Sequence, residues 1–186
     1  MKAICINLPS RQDRWEQVQQ EFEKLPFKVE RFEPIPHPTP YISFNLTMAA
    51  LIAGIKEPTW IFEDDVQFIN MEQWEVAMDI VPYGFDLLYL GGNVREPLKK
   101  ANDRWYRVQN TWTTHAILYT PKAAGFIQQV FEPEGMIYDE QLRTKVQPYL
   151  KCYICKPYMA VQRPSHSDIW GVHADYGILA TQKLLP

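Results

Sequence analysis

The segment Thr59-Trp60-Ile61-Phe62-Glu63-Asp64-Asp65 joins a run of β-branched and aromatic residues directly to three adjacent carboxylates. The apolar half predicts a buried strand, with the acidic half at its carboxyl end. In an extended chain, Glu63 and Asp65 would point to one side and Asp64 to the other. Adjacent like charges raise the pKa of a carboxyl group unless a cation neutralises them. Because Mg²⁺ and Mn²⁺ prefer carboxylate oxygens together with substrate phosphates, the cluster predicts a divalent-metal site that bridges to a diphosphate. An acidic surface turn is the alternative.

Strands and helices alternate on both sides of this segment. Apolar and amphipathic patterns predict strands at 2–8, 27–32, 59–62 and 85–90, and helices at 10–25, 43–56 and from 70 onward. Ser10 is expected to cap the first helix, and Ser43 or Asn45 the second. This alternation predicts an α/β fold with a mixed, mostly parallel central sheet and helices on both faces.

The second half of the chain continues the mixture of strands and helices. Its patterns predict strands at 105–109, 113–119 and 152–161, and helices at 121–131 and 138–146. The first two of these strands could pair with each other. Thr120-Pro121 is typical of a helix cap followed by proline at the first helical position. The tail from Gln162 shows no periodicity, and 186 residues predict a single domain.

Composition and charge exclude several classes of protein. The chain holds 19 Lys and Arg against 22 Asp and Glu, so it lacks the polybasic surface that binds nucleic acid or anionic lipid non-specifically. Its longest apolar run, Met48 to Ile55, is too short for a transmembrane segment, and its first residues are typical of a strand and not of a secretory signal. Three cysteines cannot all pair, and Cys152 and Cys155 would face opposite sides of a strand. We therefore expect reduced thiols and a cytoplasmic protein.

Candidate binding residues follow the predicted strands, because ligands of such sheets bind beyond the carboxyl ends of the strands. Arg11 and Arg14 lie on the first turn of the first helix, where guanidinium groups and backbone amides suit phosphate. A solvated helix face explains these arginines almost as well. Gly91-Gly92 permits a close approach of the backbone to a ligand. A simple turn is the alternative explanation of these two glycines. No G-x-G-x-x-G motif follows the first strand, so the dinucleotide fingerprint is absent.

Acidic and histidine residues later in the chain are candidate catalytic groups. Asp139 lies at a predicted helix start, where it is either an N-cap or a general base facing a pocket. His166 or Asp168 could complete a metal site or contact phosphate, although a lone histidine is more often structural. His115 is expected to be a hydrogen-bonded core histidine. Core packing is also the default for three tryptophans that could stack on sugars: Trp105, Trp112 and Trp170. The sequence has no nucleophile elbow, P-loop or H-E-x-x-H motif, which disfavours hydrolases and P-loop enzymes of those kinds.

Together these residues resemble glycosyltransferase family 25, which includes bacterial lipopolysaccharide and lipooligosaccharide galactosyltransferases and the collagen β-galactosyltransferases. The matching segments occur in order along residues 4–169: I-C-I-N-L at 4–8 with Arg11 and Asp13-Arg14, W-I-F-E-D-D-V at 60–66, F-D-L-L-Y-L-G at 85–91, T-H-A at 114–116 with K-A-A at 122–124, Tyr138-Asp139, and Gln162 with Ser167-Asp168-Ile169. The chain departs from the family where Phe44, and not histidine, follows Ser43, and it is shorter than many members.

The resemblance implies a GT-A (Rossmann-like) fold, a UDP-linked sugar donor, often UDP-galactose, and inversion at the anomeric carbon. It implies a single domain whose residues 1–92 hold the nucleotide sugar and whose residues 93–186 hold the acceptor. The residues that it assigns to the nucleotide sugar are Asn7, Leu8, Arg11, Arg14, Asp64 and Gly91. It assigns Mn²⁺ or Mg²⁺ to Glu63, Asp65 and His166, and the general base to Asp139. His166 or Asp168 would close the site over the phosphates.

The sequence therefore predicts a metal-dependent inverting glycosyltransferase. It would move galactose or a related hexose from a UDP-sugar to a glycan or glycolipid acceptor, as in lipopolysaccharide biosynthesis. One alternative is a catalytically degenerate protein that binds nucleotide sugar or glycan, because the family's histidine after Ser43 is missing. Another is a different metal-dependent nucleotide enzyme, such as a nucleotidyltransferase.

Overall fold

The computed structural model describes residues 1–167 and 171–174. The helices of this part are α1 Gln12–Phe22, α2 Pro40–Ala53, α3 Trp74–Asp79, α4 Pro121–Val130 and α5 Tyr138–Gln141. A 3₁₀ turn at Met71–Gln73 precedes α3, and a π-helical segment at Leu142–Val146 continues α5. The strands are β1 Lys2–Ile6, β2 Glu30–Phe32, β3 Thr59–Glu63, β4 Val66–Phe68, β5 Leu87–Tyr89, β6 Asn93–Val94, β7 Lys99–Lys100, β8 Trp105–Arg107, β9 Thr111–Trp112, β10 Ala116–Tyr119, β11 Cys152–Cys155, β12 Ala160–Gln162, β13 Ser165–Ser167 and β14 Val172–Ala174.

An eight-stranded sheet with the strand order β2-β1-β3-β10-β5-β11-β8-β7 forms the centre of the molecule. β1 is parallel to β2 and β3, and β5 is parallel to β11, whereas β10 is antiparallel to both β3 and β5. β8 is antiparallel to β11 and β7. In this sheet, all strands except β10 and β8 therefore run in the same direction. The predicted mixed, mostly parallel sheet is confirmed.

Helices cover both faces of this sheet, as predicted. Because side chains alternate along a strand, Ile61 of β3 packs into one core and its neighbours Trp60 and Phe62 into the other. Side chains of α2, α4 and α5 belong to the core on the Ile61 face, and side chains of α1 and α3 belong to the opposite core. Burying each large apolar side chain contributes about 1.5–3 kcal/mol to folding. The strand β3 thus stabilises both layers of helices at once.

The three cysteines are buried and free, and Cys152 and Cys155 lie on opposite faces of the sheet, as predicted. Within the described part of the chain, no helix is long and apolar enough to cross a membrane.

Two helices begin at residues other than the predicted caps. Arg11, and not Ser10, occupies the N-cap of α1, because the Arg11 N–H donates to the Leu8 carbonyl in a turn that first redirects the chain. α2 begins at Pro40 with Thr39 as its N-cap, so it starts before both Ser43 and Asn45. Proline at the first helical position has the φ angle that a helix needs, which explains the early start. The predicted cap of α4 is confirmed, since the Thr120 hydroxyl accepts from the Ala123 N–H.

The pairing of the later strands also differs from the prediction. β8 and β10 do not pair with each other, because β10 lies between β3 and β5 and β8 lies between β11 and β7. The strand predicted at 152–161 is two strands, β11 and β12, and β12 leaves the main sheet to pair with β4. Pro157 lies between them, where a residue without an N–H interrupts a strand. The tail contains the hairpin β13–β14, which its lack of periodicity did not predict.

Gly91 is required by the packing of β12 against the end of β5. A Cβ at this position would lie 1.9 Å from the Ala160 carbonyl oxygen. We expect Gly91→Ala to lower the free energy of unfolding by about 2–3 kcal/mol, because the added methyl group forces the backbone at Gly91 or at Ala160 to move. Urea unfolding measures this loss.

Gly125→Ala is the matched control, because a Cβ at Gly125 in α4 has no atom within 4 Å. Alanine inside a helix should raise the stability by about 0.5–1 kcal/mol. Equal stability of the Gly91→Ala variant and the wild type would contradict the packing at Gly91.

Candidate active site

A cavity of about 320 Å³ opens at the edge of the sheet where β1 and β3 end. Asn7 and Leu8 follow β1, and the acidic residues follow β3. Because β10 is antiparallel, Thr113 and Thr114, which precede it, reach the same edge. The cavity is lined by Ile6, Asn7, Leu8, Arg14, Pro34, His37, Pro40, Ser43, Phe44, Glu63, Asp64, Asp65, Thr113, Thr114, Ile137, Asp139, Gln162, Ser165 and Ser167. Its position agrees with the rule for ligand sites in such sheets.

The three carboxylates occupy the end of β3 and the turn that follows it. Asp64 and Asp65 lie in a turn between β3 and β4, so the extended geometry assumed for Glu63, Asp64 and Asp65 is wrong. A turn does not impose the alternation of a strand, and all three residues line the cavity.

Asp64 is the neutralised member of this group. Its Oδ1 accepts from Arg14 Nη1 at 2.8 Å, and its Oδ2 accepts from Asn7 Nδ2 at 2.6 Å. Arg14 Nη2 also donates to Ser165 Oγ at 2.9 Å. The Asp64 and Arg14 side chains are each only 10% exposed, so this ion pair holds β1, α1 and β13 together at the cavity. Asp64 therefore carries little uncompensated charge.

Within the described part of the chain, neither Glu63 nor Asp65 forms an ion pair of this kind. Loss of solvation raises the pKa of Glu63 to about 8, with a further contribution from the negative charge of Asp65. The hydrogen bond that Thr114 Oγ1 donates to Glu63 Oε1, 2.7 Å long, opposes this rise. Burial, followed by repulsion from Asp64, likewise raises the pKa of Asp65 to about 6. At neutral pH without a cation, Glu63 is mainly protonated.

Several buried oxygen atoms at the cavity have no hydrogen-bond partner among the residues that the structure describes. They are Oδ1 of Asn7, Oδ1 of Asp65 and Oε1 of Gln162. Gln162 Nε2 donates a long hydrogen bond of 3.5 Å to the other oxygen of Asp65. Because an unsatisfied buried acceptor is costly, these atoms suit a bound cation or a ligand that donates hydrogen bonds.

The protein side chains alone do not form a closed metal cage. Within residues 1–167 and 171–174, no cluster of three or more His, Cys, Asp or Glu side chains could hold a metal ion. Glu63 and Asp65 instead offer the kind of site in which one or two carboxylates share the cation with substrate oxygens.

Asp139 also lines the cavity, in the first turn of α5, and its charge acts on Glu63. Burial raises its pKa above the usual aspartate value, although the backbone N–H groups of Glu140 and Thr113 act in the opposite direction. The neighbouring Glu140 accepts from Trp112 Nε1 at 2.8 Å and forms an ion pair with Arg143. These bonds hold the segment that carries Asp139, and a carboxylate with a raised pKa facing a cavity suits a general base.

Only some of the remaining predicted binding residues line the cavity. Leu8 lines the cavity, whereas Arg11 does not and pairs with Asp13. Gly91 also lies outside the cavity lining, because it packs against Ala160 and not against a ligand. His166 lies in β13 between two serines that line the cavity, and its role as a metal ligand stays a prediction.

The core assignments can be compared with the structure for all of the residues concerned except Trp170. His115 is buried as predicted, but its ring makes no hydrogen bond within the described chain, and burial lowers its pKa to about 4. Trp105 is fully buried and donates to the Ala77 carbonyl. Trp112 is only partly buried and lies beside two arginines. The predictions for Asp168 and Trp170 fall outside the described residues.

Sequence reasoning missed several residues of the cavity wall. Thr113 was not singled out, and Thr114 was noted only as part of the family resemblance. Their position depends on β10 being antiparallel beside β3, and the local sequence does not indicate that neighbour. Pro34 and Pro40 also line the cavity, together with His37, whose Nδ1 accepts from the Thr39 N–H. The connector between β2 and α2, residues 33–40 with prolines at 34, 36, 38 and 40, therefore forms part of the site.

The fold is shared with a solved glycosyltransferase. No protein-family model matches the sequence, and no curated protein matches it. One similar structure is a glycosyltransferase involved in the glycosylation of the major capsid of PBCV-1, at 11% identity and a TM-score of 0.52, covering 84% of this chain and 82% of that one. Another is 4-diphosphocytidyl-2C-methyl-D-erythritol synthase from Anaerococcus prevotii DSM 20548, at 10% identity and a TM-score of 0.47, covering 91% and 75%. The first likeness confirms the predicted Rossmann-like α/β class of the GT-A type.

In the absence of divalent cations, the free energy of unfolding should fall as the pH rises from about 5 to about 8. Folding raises the pKa of Glu63 from 4.5 to about 8. The Glu63 carboxyl therefore keeps a proton in the folded protein that it loses in the unfolded chain, and its contribution to stability decreases with pH. The lowered pKa of buried His115 acts in the opposite direction only below about pH 6.5, so the decline should be steepest above that pH. Urea unfolding in EDTA at a series of pH values measures the slope.

Glu63→Gln is the control for this slope, since glutamine still accepts from Thr114 but does not ionise. The variant should show a shallower decline with pH and a higher relative stability at pH about 8. Identical slopes for both proteins would mean that Glu63 is not the group responsible.

Proposed function

We propose that this protein is a metal-dependent inverting glycosyltransferase that transfers a hexosyl group from a UDP-sugar to a hydroxyl group of a glycan or glycolipid. One observation carries the proposal: the uncompensated carboxylates Glu63 and Asp65 and the candidate base Asp139 line the same cavity. Such a transferase needs one group that favours departure of the diphosphate and another that accepts a proton from the acceptor. The fold likeness to a glycosyltransferase is consistent with this chemistry.

The nucleotide half of the donor is proposed to lie at the end of β1. Asn7 and Leu8 line the cavity there, and Arg14 brings a positive charge beside them. Parallel α/β sheets bind nucleotides at this edge. Arg14 already pairs with Asp64, so its part is to hold the acidic turn in place and to add positive potential near the phosphates.

The donor set at the acidic turn fits Mn²⁺ or Mg²⁺. Asp65 has a buried oxygen without a hydrogen-bond partner in the described chain, and burial and the charge of Asp65 disfavour ionisation of Glu63 unless a cation is bound. These two carboxylates would hold the ion together with phosphate oxygens, and His166 is a candidate for a further ligand. When bound, the ion supplies Lewis-acid stabilisation of the negative charge on the departing diphosphate.

Asp139 is proposed to accept the proton of the acceptor hydroxyl. As that oxygen forms its bond to the anomeric carbon, the bond from this carbon to the UDP oxygen breaks and UDP leaves as an anion. Attack from the side opposite the leaving group inverts the anomeric centre. The raised pKa of Asp139 makes its carboxylate a stronger base than an exposed aspartate.

The resemblance to family 25 suggests UDP-galactose as the donor and a lipopolysaccharide-type glycan as the acceptor. The connector residues Pro34, His37 and Pro40 form an additional wall of the cavity. Their rigid, mostly apolar surface is suited to one face of a sugar ring. We place the enzyme in the cytoplasm, where free cysteines such as the three buried ones in this fold stay reduced.

A thermal-shift screen with UDP-, GDP- and CMP-sugars, each with and without Mn²⁺, tests the proposal. We expect a UDP-hexose to raise the melting temperature only when Mn²⁺ is present, because the diphosphate and the carboxylates then share the ion. Chromatography of the products follows for the sugar that binds. Release of UDP with transfer or hydrolysis of the sugar supports a glycosyltransferase, and binding without turnover of any acceptor supports the degenerate alternative.

Asp65→Ala should abolish the metal-dependent part of UDP-sugar binding. The substitution removes one of the two carboxylates proposed to hold the ion, and calorimetric titration of UDP-galactose with and without Mn²⁺ measures the effect. Asp103→Ala is the control, because Asp103 is an exposed aspartate that pairs with Lys100 outside the cavity lining. An unchanged Mn²⁺ effect in Asp65→Ala would remove Asp65 from the metal site.

Asp139→Asn should leave the affinity for UDP-galactose unchanged while it lowers kcat by about 10²–10⁴-fold. This range is usual for the loss of a general base, and asparagine keeps the size of the side chain. Initial rates of UDP release with a saturating acceptor measure kcat, and calorimetry of donor binding serves as the internal control. Wild-type turnover in the variant would rule out Asp139 as the base.

A further inference from the structure

The segment before β10 contains an unusual backbone conformation. Thr113 has φ 74°, in the left-handed region, where a β-branched residue is a rare outlier. Such strained residues persist only where the surrounding structure holds them, and they cluster at functional sites. Thr113 lines the cavity, so the strain lies at the candidate active site and not at a remote loop.

The chain at Thr113 and Thr114 contacts both Glu63 and Asp139. Thr114 Oγ1 donates to Glu63 Oε1 at 2.7 Å, on the side of the acidic turn. The backbone N–H of Thr113 donates towards the Asp139 carboxylate and thereby lowers the pKa of Asp139. Thr113 therefore lies between the group proposed to hold the diphosphate and the group proposed to receive the proton.

The hydroxyl group of Thr113 has no assigned role within the folded chain. Oγ1 is buried and makes no hydrogen bond to any residue that the structure describes, whereas the adjacent side chains of Trp112 and Thr114 donate to Glu140 and Glu63. A buried hydroxyl without a partner is costly, and each such group calls for an explanation. A bound ligand could supply the missing partner directly or after rotation of Thr113 about χ1.

We propose that the Thr113 hydroxyl binds a hydroxyl group of the transferred sugar and contributes to the choice of donor. This inference rests on the proposed function. During transfer, the anomeric carbon lies between the departing diphosphate and the attacking oxygen, and hence between Glu63 and Asp139. The sugar ring must then lie beside Thr113, which lines the cavity with its backbone in the left-handed region.

This contact would make Thr113 a specificity determinant. A site built to hydrogen-bond a sugar hydroxyl discriminates against donors in which that hydroxyl has the other configuration, because a buried polar group is then left unpaired. UDP lacks the hexosyl group that would contact Thr113, and UDP-glucose and UDP-galactose differ in the configuration of one hydroxyl of that group. The affinities of these three probes separate recognition of the sugar from recognition of the nucleotide.

The test is calorimetric binding of UDP, UDP-glucose and UDP-galactose, with Mn²⁺ present, to the wild type, Thr113→Val and Thr113→Ser. We expect Thr113→Val to weaken binding of the preferred UDP-hexose by about 3- to 10-fold, the effect of losing one neutral hydrogen bond. Its affinity for UDP should stay that of the wild type. Thr113→Ser keeps the hydroxyl and should retain the preference for the UDP-hexose.

Two further variants separate binding from folding. Thr113→Gly removes the backbone strain, because glycine adopts positive φ without a steric penalty. The Thr113→Gly variant should melt at a temperature equal to or above that of the wild type. It should still lose the preference for one UDP-hexose over the other. Thr144→Val is the control, since Thr144 is an exposed threonine outside the cavity lining. It should bind all three probes like the wild type.

The outcomes distinguish this inference from the proposed function. If the wild type binds no UDP-hexose in the presence of Mn²⁺, both fail. If it binds UDP-glucose and UDP-galactose equally, the role of Thr113 in donor choice is overturned and the transferase proposal stands. If the wild type prefers one UDP-hexose and Thr113→Val keeps that preference, the role of Thr113 is overturned and the transferase proposal stands. Equal weakening of UDP and UDP-hexose in Thr113→Val and Thr113→Gly would show that Thr113 only maintains the shape of the site, which also overturns the inference.

Discussion

Repulsion between carboxylates at the end of β3 is the constraint on which the candidate site depends. Arg14 neutralises Asp64, but Glu63 and Asp65 remain close to each other in a cavity with little solvation. Burial of unpaired charge is expensive, so a fold tolerates such a pair by protonating one member or by binding a cation. The same buried carboxyl groups are expected to reduce the stability of the free protein at higher pH and are proposed to bind a cation together with a diphosphate.

The antiparallel direction of β10 determines which residues lie beside these carboxyl groups. A parallel strand beside β3 would place its carboxyl end at the cavity, whereas β10 places its amino end there. The chain that enters β10 therefore passes the acidic turn, and it brings Thr113 and Thr114 between Glu63 and the base candidate Asp139. The reversed strand β10 thus brings residues of its amino end to the cavity that also contains Glu63 and Asp139.

The sequence was sufficient for features that depend on local patterns. The apolar run before Glu63 predicted the central strand, and the alternation of strands and helices predicted the class of sheet. Features that depend on distant neighbours were not accessible, such as the place of β10 in the sheet or the division of 152–161 around Pro157. The acidic residues of the cavity were recognised because charge is visible in sequence. Thr113 was missed because a positive φ angle on threonine has no signature in composition or periodicity.

The acidic turn is held in place by a residue almost a hundred positions later in the chain. The backbone N–H of Arg163 donates to the Asp65 carbonyl, and its guanidinium donates to the Asp64 carbonyl. A nascent polypeptide that has emerged from the ribosome only as far as β11 contains every carboxylate of the site but lacks this anchor. The two hydrogen bonds that fix the acidic turn consequently form only after Arg163 has left the ribosome.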